Sequence, residues 1–184
     1  MKLETERPII REIHPDDAAA LEYTKQDKYS YHKSQRPHAD DRLEIEIARN
    51  ITSMSETPQR FWSLVLVLKS TDQVIGGIKI FIPDIYHSVG EIGFDLNGDY
   101  WRSGYTTEAV KAVLDYCHEE LKMHRVIIRA DARNIASWRV AERIGMHYEG
   151  AARYDYMTWQ GFVPEMKIYA SVRPELIPKE NPEN

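Results

Sequence analysis

The chain has 184 residues, enough for one domain that buries most of the surface its unfolded form exposes, and its 42% hydrophobic and 29% charged residues are ordinary for a soluble globular protein. A formal net charge of −5 speaks against a nucleic-acid partner, because neutralising phosphates takes a basic patch or stripe, and suits a cationic small substrate. Cys117 is the only cysteine and the seven histidines show no H-E-x-x-H spacing, so neither an internal disulfide nor a metal site is expected; no run approaches the ~18 apolar residues of a membrane span, and Met1 to Arg7 lacks the apolar core of a signal peptide, which together predict a cytoplasmic protein without a membrane partner.

In chain order, Ile9 to Ile13 reads as a short strand, closed by His14-Pro15-Asp16-Asp17. Pro15 suits a first helical turn and the acids after it favour the positive end of a helix, so Ala18 to Lys25 is predicted helical. Asp27 to Ala39 has no clear period. Asp40 to Met54 reads as a second helix, with Leu43, Ile47 and Ile51 spaced four apart. Phe61 to Leu68 and Val74 to Ile82 are branched and aromatic runs around the turn Ser70-Thr71-Asp72-Gln73, hence a hairpin; Glu91 to Leu96 is a third strand. Val110, Val113, Leu114, Cys117 and Leu121 make one helical stripe. Arg125 to Ala130 is a β-branched strand, and Asn134 to Ile144 a helix that Asn134 caps and Gly145 ends. Two strands follow, Glu149 to Met157 and Val163 to Val172, joined at Trp159-Gln160-Gly161. The domain spans 1–172; the tail 173–184, rich in Pro, Glu and Asn, is predicted mobile. Only the helix between Leu96 and Arg125, with its successor, is long enough to cross over between parallel strands. A mixed sheet of α+β type is the outcome.

Two segments carry candidate chemistry. Trp101-Arg102-Ser103-Gly104-Tyr105-Thr106-Thr107-Glu108 joins a strand to the longest helix, where unpaired N–H groups and a partial positive charge meet an incoming anion. Gly104 permits close approach of a pyrophosphate, Arg102 adds charge, and Ser103, Thr106 and Thr107 add hydroxyls. The plainer reading makes Ser103 a cap and Gly104 a turn residue. One crossover later, Asn134-Ile135-Ala136-Ser137 opens the next helix and puts the Ser137 hydroxyl on the apolar face of Ala141 and Ile144. Its plainer reading is a first-turn serine bonded to its own backbone.

Taken together, these segments resemble the GNAT superfamily of N-acetyltransferases, and within it the RimJ/RimL-like group that includes ribosomal-protein N-terminal acetyltransferases. The resemblance runs from Arg7-Pro8-Ile9 through Phe61-Trp62, Val74-Ile75-Gly76, Glu91-Ile92-Gly93-Phe94, Tyr100-Trp101, Gly104-Tyr105-Thr106-Thr107-Glu108-Ala109 and Asn134-Ile135-Ala136-Ser137. It continues through Ala141-Glu142-Arg143-Ile144-Gly145-Met146 and Glu149-Gly150 to Trp159-Gln160-Gly161. Trp101 stands at the first position of the family's CoA turn and Thr106 replaces its small last residue. The resemblance implies a central mixed sheet of six to seven strands, flanked by helices and splayed between the Glu91 and Arg125 strands. Acetyl-CoA would lie in the split as co-substrate, its pantetheine bonded by the backbone of Phe94, Asp95 and Leu96 and helped by Asn134. Its pyrophosphate would rest on Arg102, Ser103, Gly104, Tyr105, Thr106 and Thr107.

Amine acetylation requires that a protonated amine, near pKa 8 for an α-amine or 10 for an alkylamine, lose its proton before attack. Glu91 is the candidate base, since Glu91, Gly93 and Asp95 alternate onto one strand face. By the resemblance Ser137 is the candidate acid, or a donor to the departing sulfur; Tyr156 and Asp155 stand in reserve. Cys117 lies in an apolar stripe and reads as core, and direct transfer needs no acyl-enzyme. Trp62 and Trp138 read as packing residues. The acceptor stays open: a protein N-terminus, or a small amine (polyamine, amino sugar or amino acid) drawn by Asp40, Asp41, Glu44 and Glu46. A CoA-binding sensor without catalysis is the alternative of another class. The acceptor pocket is expected within 27–57, and the oligomeric state, a homodimer included, is left open.

Overall fold

The computed structural model describes residues 1–26, 42–84, 88–158 and 161–177. Eight strands form one sheet among these residues: β1 (Lys2–Glu4), β2 (Pro8–Glu12), β3 (Phe61–Leu68), β4 (Gln73–Asp84), β5 (Val89–Leu96), β6 (Arg125–Asp131), β7 (His147–Thr158) and β8 (Gly161–Val172). Their spatial order is β1-β2-β3-β4-β5-β6-β8-β7, antiparallel throughout except for β5 with β6. The sheet thus has one strand more than the expected six to seven. The addition, β1, is three residues without an apolar run, and its pairing with β2 rather than its own pattern makes it a strand.

Among the described residues β5 with β6 is the one pairing that runs parallel, and it needs a crossover, which α2 (Tyr105–Glu119) supplies. Val110, Val113, Leu114 and Cys117 of that helix are buried, and each such aliphatic side chain removed from water contributes about 1.5–3 kcal/mol. Leu121, placed on the same stripe by its spacing, lies past the end of the helix. Together with α3 (Ile135–Arg143), α2 packs on one sheet face over Ile78, Ile80, Ile92, Val126 and Ile128. The other face carries α1 (Arg42–Met54), whose Leu43 and Ile47 pack over Val65 and Val67.

One local expectation is corrected. Ala18 to Lys25 is not an α-helix: a 3-10 turn over Pro15–Asp17 is followed by a 3-10 helix over Ala19–Lys25. The Asp17 carboxylate is drawn to Arg11 at 2.7 and 2.8 Å and to the His14 N–H at 2.7 Å, which fixes the entry as a tight turn. Beyond Val172, the Arg173 N–H donates to His124 O at 2.7 Å and Pro174–Leu176 forms a further 3-10 turn. The expected turn residues Trp159 and Gln160, and positions 178–184, lie outside the described residues. No helix among those described is long and apolar enough to cross a membrane.

Candidate active site

β5 and β6 pair at Val89↔Arg125, Gly90↔Val126 and Glu91↔Ile127 only, yet β5 continues to Leu96 and β6 to Asp131. Beyond Glu91 the two strands diverge, leaving a cleft of ≈ 190 Å³ in the middle of the sheet. Strand alternation sorts its walls. Ile92, Phe94 and Leu96 belong to the helix-side core, so Glu91, Gly93 and Asp95 face the α1 side. The cleft passes between the two faces and is lined by Glu91, Gly93 and Phe94 on one lip and by Arg129, Asn134, Ser137 and Tyr156 around the other.

The candidate base is held by a partner that sequence reasoning missed. Arg129 Nε donates to both Glu91 oxygens, at 3.3 and 3.2 Å, and Arg129 Nη1 to Asp155 Oδ2 at 3.2 Å. Glu91 and Asp155, expected as alternatives, are therefore members of one network. The signal for the side of the sheet that Arg129 faces was present: Val126, Ile128 and Ala130 are buried, so by alternation Arg129 faces the same side as Glu91, two residues beyond Ile127, the partner of Glu91 at the last rung of the parallel pair. A bulge in β7 between Arg153 and Tyr156, with Tyr154 at φ +51°, lets neighbouring residues serve different partners. Asp155 reaches Arg129, while Tyr156 lines the cleft. Asp95 accepts a short hydrogen bond of 2.5 Å from the Tyr23 hydroxyl, which ties β5 to the 3-10 helix over Ala19–Lys25.

On the opposite wall, Asn134 is the cap of α3, its side-chain oxygen accepting from Ser137 N–H at 3.2 Å. The capping reading thus holds, and the same residue lines the cleft. The Ser137 hydroxyl makes no hydrogen bond among the described residues, so the plainer reading, a serine bonded back to its own helix, finds no support there. Val140 and Ala141 bury the rest of the helix face.

The turn before α2 has Arg102 at φ +63° and Gly104 at φ +81° as the helix cap. The first helical bond is Glu108 N–H to Gly104 O at 3.1 Å, so the N–H groups of Tyr105, Thr106 and Thr107 have no helical acceptor. Ser103 is not the cap; its hydroxyl turns back to Trp101 O at 3.4 Å. The Trp101 indole N–H donates to Leu96 O at 2.8 Å, engaging one of the backbone groups expected to meet pantetheine. Arg102 is exposed. From the other end of the sequence, Arg7 enters the turn: its backbone N–H and Nε reach Glu108 at 2.8 and 2.7 Å, and its Nη1 donates to Ser103 O at 2.7 Å.

These features fit an acyl-CoA. A left-handed glycine leaves the turn bare where a pyrophosphate would approach, the donors of the first helical turn are free of helical partners, and β5 offers an edge inside the cleft. Cys117 does not fit a nucleophile: it is fully buried, away from the cleft-lining residues, and burial pushes its thiol up to about 12. Trp62 is buried, and Trp138 donates to Ala132 O at 3.1 Å beneath Lys167, so both pack as expected. Of the acidic helix residues, Glu46 pairs with Lys79 at 2.8 Å; Asp40, Asp41 and the first part of the expected acceptor pocket, 27–41, lie outside the described residues.

Residues 7–147 match the family model of the acetyltransferase (GNAT) domain. The chain is 30% identical to the N-acetyltransferase YnaD of Bacillus subtilis, itself uncharacterized, over 82% of this chain and 85% of that protein. Its fold is similar to that of a GNAT-family acetyltransferase from Bacillus anthracis, with a TM-score of 0.82, 24% identity, and coverage of 94% of this chain and 98% of the other. It is similar also to RimL, the ribosomal L7/L12 alpha-N-protein acetyltransferase, in complex with coenzyme A, with a TM-score of 0.78, 13% identity, and coverage of 94% and 98%.

Proposed function

Since the chain belongs to the GNAT acetyltransferase family, we propose that it moves the acetyl group of acetyl-CoA directly onto a primary amine, with the α-amine of a protein N-terminus as the acceptor. The observation that carries the reading is the divergence of β5 and β6 beyond Glu91, which brings Glu91 and Ser137 to one cleft although they sit on opposite sides of the sheet. Bound acetyl-CoA supplies the thioester. Phe94 and Asn134 would orient its pantetheine arm, and the N–H groups of Gly104 to Thr107, with Arg102, would hold its pyrophosphate.

On the α1 side, Glu91 takes the proton from the acceptor ammonium, directly or through one water. Arg129 keeps the carboxylate turned into the cleft rather than toward solvent. From the helix side, the Ser137 hydroxyl donates to the departing sulfur. A thiolate with a parent pKa near 8.5 is already a fair leaving group, so this donor lowers the barrier modestly. Tyr156, also in the cleft, stands in reserve as the base. No covalent enzyme intermediate is needed.

The acceptor assignment rests on the resemblance to the RimJ/RimL-like group and on the RimL neighbour, which acts on an α-amine. The test is a panel of N-terminal peptides, polyamines, amino sugars and amino acids, with free CoA thiol as the readout. Peptides turning over at least tenfold faster, as kcat/KM, support the assignment. Preference for a small amine replaces the acceptor but leaves the transfer chemistry standing. No thiol release with any amine, from protein that binds acetyl-CoA, returns the chain to a CoA-binding sensor.

A further inference from the structure

The pyrophosphate turn is not built by its own segment alone. Arg7, the residue before β2, crosses 96 positions of sequence to reach it. Its guanidinium is divided between two tasks: Nε on Glu108 Oε2 at 2.7 Å, and Nη1 on Ser103 O at 2.7 Å. Its Cζ lies 4.7 Å from the centre of the Tyr105 ring, the first helical residue. Nη2 lies 3.3 Å from the place a Cβ on residue 104 would take. One side chain therefore holds Ser103 and Glu108, lies over Tyr105 and borders Gly104.

Two physical consequences follow. In a trans peptide the C=O and N–H point in opposite directions, so holding Ser103 O toward Arg7 turns the Gly104 N–H away from it, out of the turn. Gly104 at φ +81° has little intrinsic preference for that orientation, and the arginine supplies it. The second consequence is electrostatic. Glu108 puts a carboxylate in the first turn of the very helix whose positive end would meet a phosphate, and Arg7 neutralises it at contact distance. Burial pushes the Glu108 carboxyl up, but the Arg7 N–H, the Thr5 hydroxyl and the Arg7 guanidinium outweigh it and hold it below the usual range.

We infer that Arg7 is a positioning residue for the pyrophosphate of CoA: it aims the Gly104 N–H at the phosphate and cancels the Glu108 charge beside it. This rests on the acetyl-CoA reading above. A brace that matters only for folding would weaken every use of the cleft alike. A residue acting through the turn should instead affect ligands that carry a pyrophosphate and spare those that do not.

The experiment measures the dissociation constant of CoA by calorimetry and kcat/KM with S-acetylpantetheine, which lacks the pyrophosphate, for the wild type, Arg7→Ala and Arg7→Lys. Arg7→Ala is expected to weaken CoA at least tenfold while kcat/KM with acetylpantetheine stays within about twofold. Arg7→Lys keeps the charge and the aliphatic stem but cannot hold Glu108 and Ser103 O with one fork, so it should fall between the two. It also keeps the comparison alive if the alanine variant does not fold. Loss of both parameters in proportion, unchanged CoA binding in Arg7→Ala, or wild-type CoA binding in Arg7→Lys overturns the assignment. Wild-type protein that does not bind CoA at all overturns the acetyl-CoA reading itself, a different result.

Discussion

Burial raises the Cys117 thiol to about 12, and only a thiolate reacts with disulfide reagents. At pH 8 the folded protein should therefore resist labelling and react fully once denatured, and Cys117→Ala should keep its turnover. Rapid stoichiometric labelling of native protein would contradict the buried placement. At Ser137 the expected signature is the reverse: an unchanged CoA dissociation constant in Ser137→Ala with kcat lowered about 10–100-fold, since the hydroxyl matters only as the carbon–sulfur bond breaks. Equal turnover returns it to a helix residue. Glu91 is tested by pH. If it removes the acceptor proton, Glu91→Gln should lower kcat/KM most near neutrality and recover partly as pH approaches the amine's own pKa, near 8 for an α-amine. Parallel wild-type and mutant profiles, at saturating acetyl-CoA, would pass the role to Tyr156 or Asp155. The Arg129 link to both Glu91 and Asp155 makes these carboxylates coupled positions, so their substitutions should not be additive.

At the level of elements, the sequence carried whatever depends on local period or local turn chemistry. The β3–β4 hairpin, the α2 stripe, and the Asn134 and Gly145 ends of α3 are each written in a few adjacent residues. What depends on distant partners was hidden. β1 is a strand only because β2 borders it, the 3-10 turns form because Asp17 meets Arg11, alternation gives the side that Arg129 faces but not its carboxylate partners, and Arg7 has no local pattern that announces a role. The Gly104 turn was legible because one residue type answers the demand. At φ +81° a β-branched side chain is strained, and it would also meet Arg7 at 3.3 Å. In wild type, CoA at 100 times its dissociation constant should stabilise the fold by about 2.7 kcal/mol, seen as a rise in Tm. Gly104→Val should lose that rise while the unliganded protein stays folded, because the turn is exposed and bounds the core without entering it. An undiminished CoA shift in the variant would remove the turn from the site.

At the scale of the whole molecule, arginine–carboxylate pairs outside the Arg129 network join distant segments among the described residues. Arg11–Asp17 fastens the first 3-10 turn to β2, Arg7–Glu108 fastens the N-terminal edge of the sheet to α2, and Arg125–Glu149 fastens β6 to β7. Hydrogen bonding from Arg125 holds the Glu149 carboxyl down. Burial opposes the shift at Asp17 and Glu108, yet their arginine and backbone donors prevail, so all three titrate below the usual carboxylate range. The sign of the pH dependence follows. In the unfolded chain these groups titrate near 4, so their contribution is complete above that value and is lost as pH falls through the lower folded values, where the unfolded state binds more protons. Tm should therefore be nearly flat between about pH 5 and 7 and fall steeply below about 4. Asp17→Asn and Glu108→Gln should each be less stable than wild type at pH 7, with the difference shrinking toward pH 3, where the wild-type carboxylates are also neutral. Salt should reduce the Arg125–Glu149 contribution most, because both partners are about one-third exposed. The measurement is Tm by calorimetry from pH 3 to 7 at low and moderate ionic strength. Curves for variants and wild type that run parallel across the whole range would mean that these pairs do not couple protonation to folding, and that acid sensitivity arises from carboxylates elsewhere in the chain.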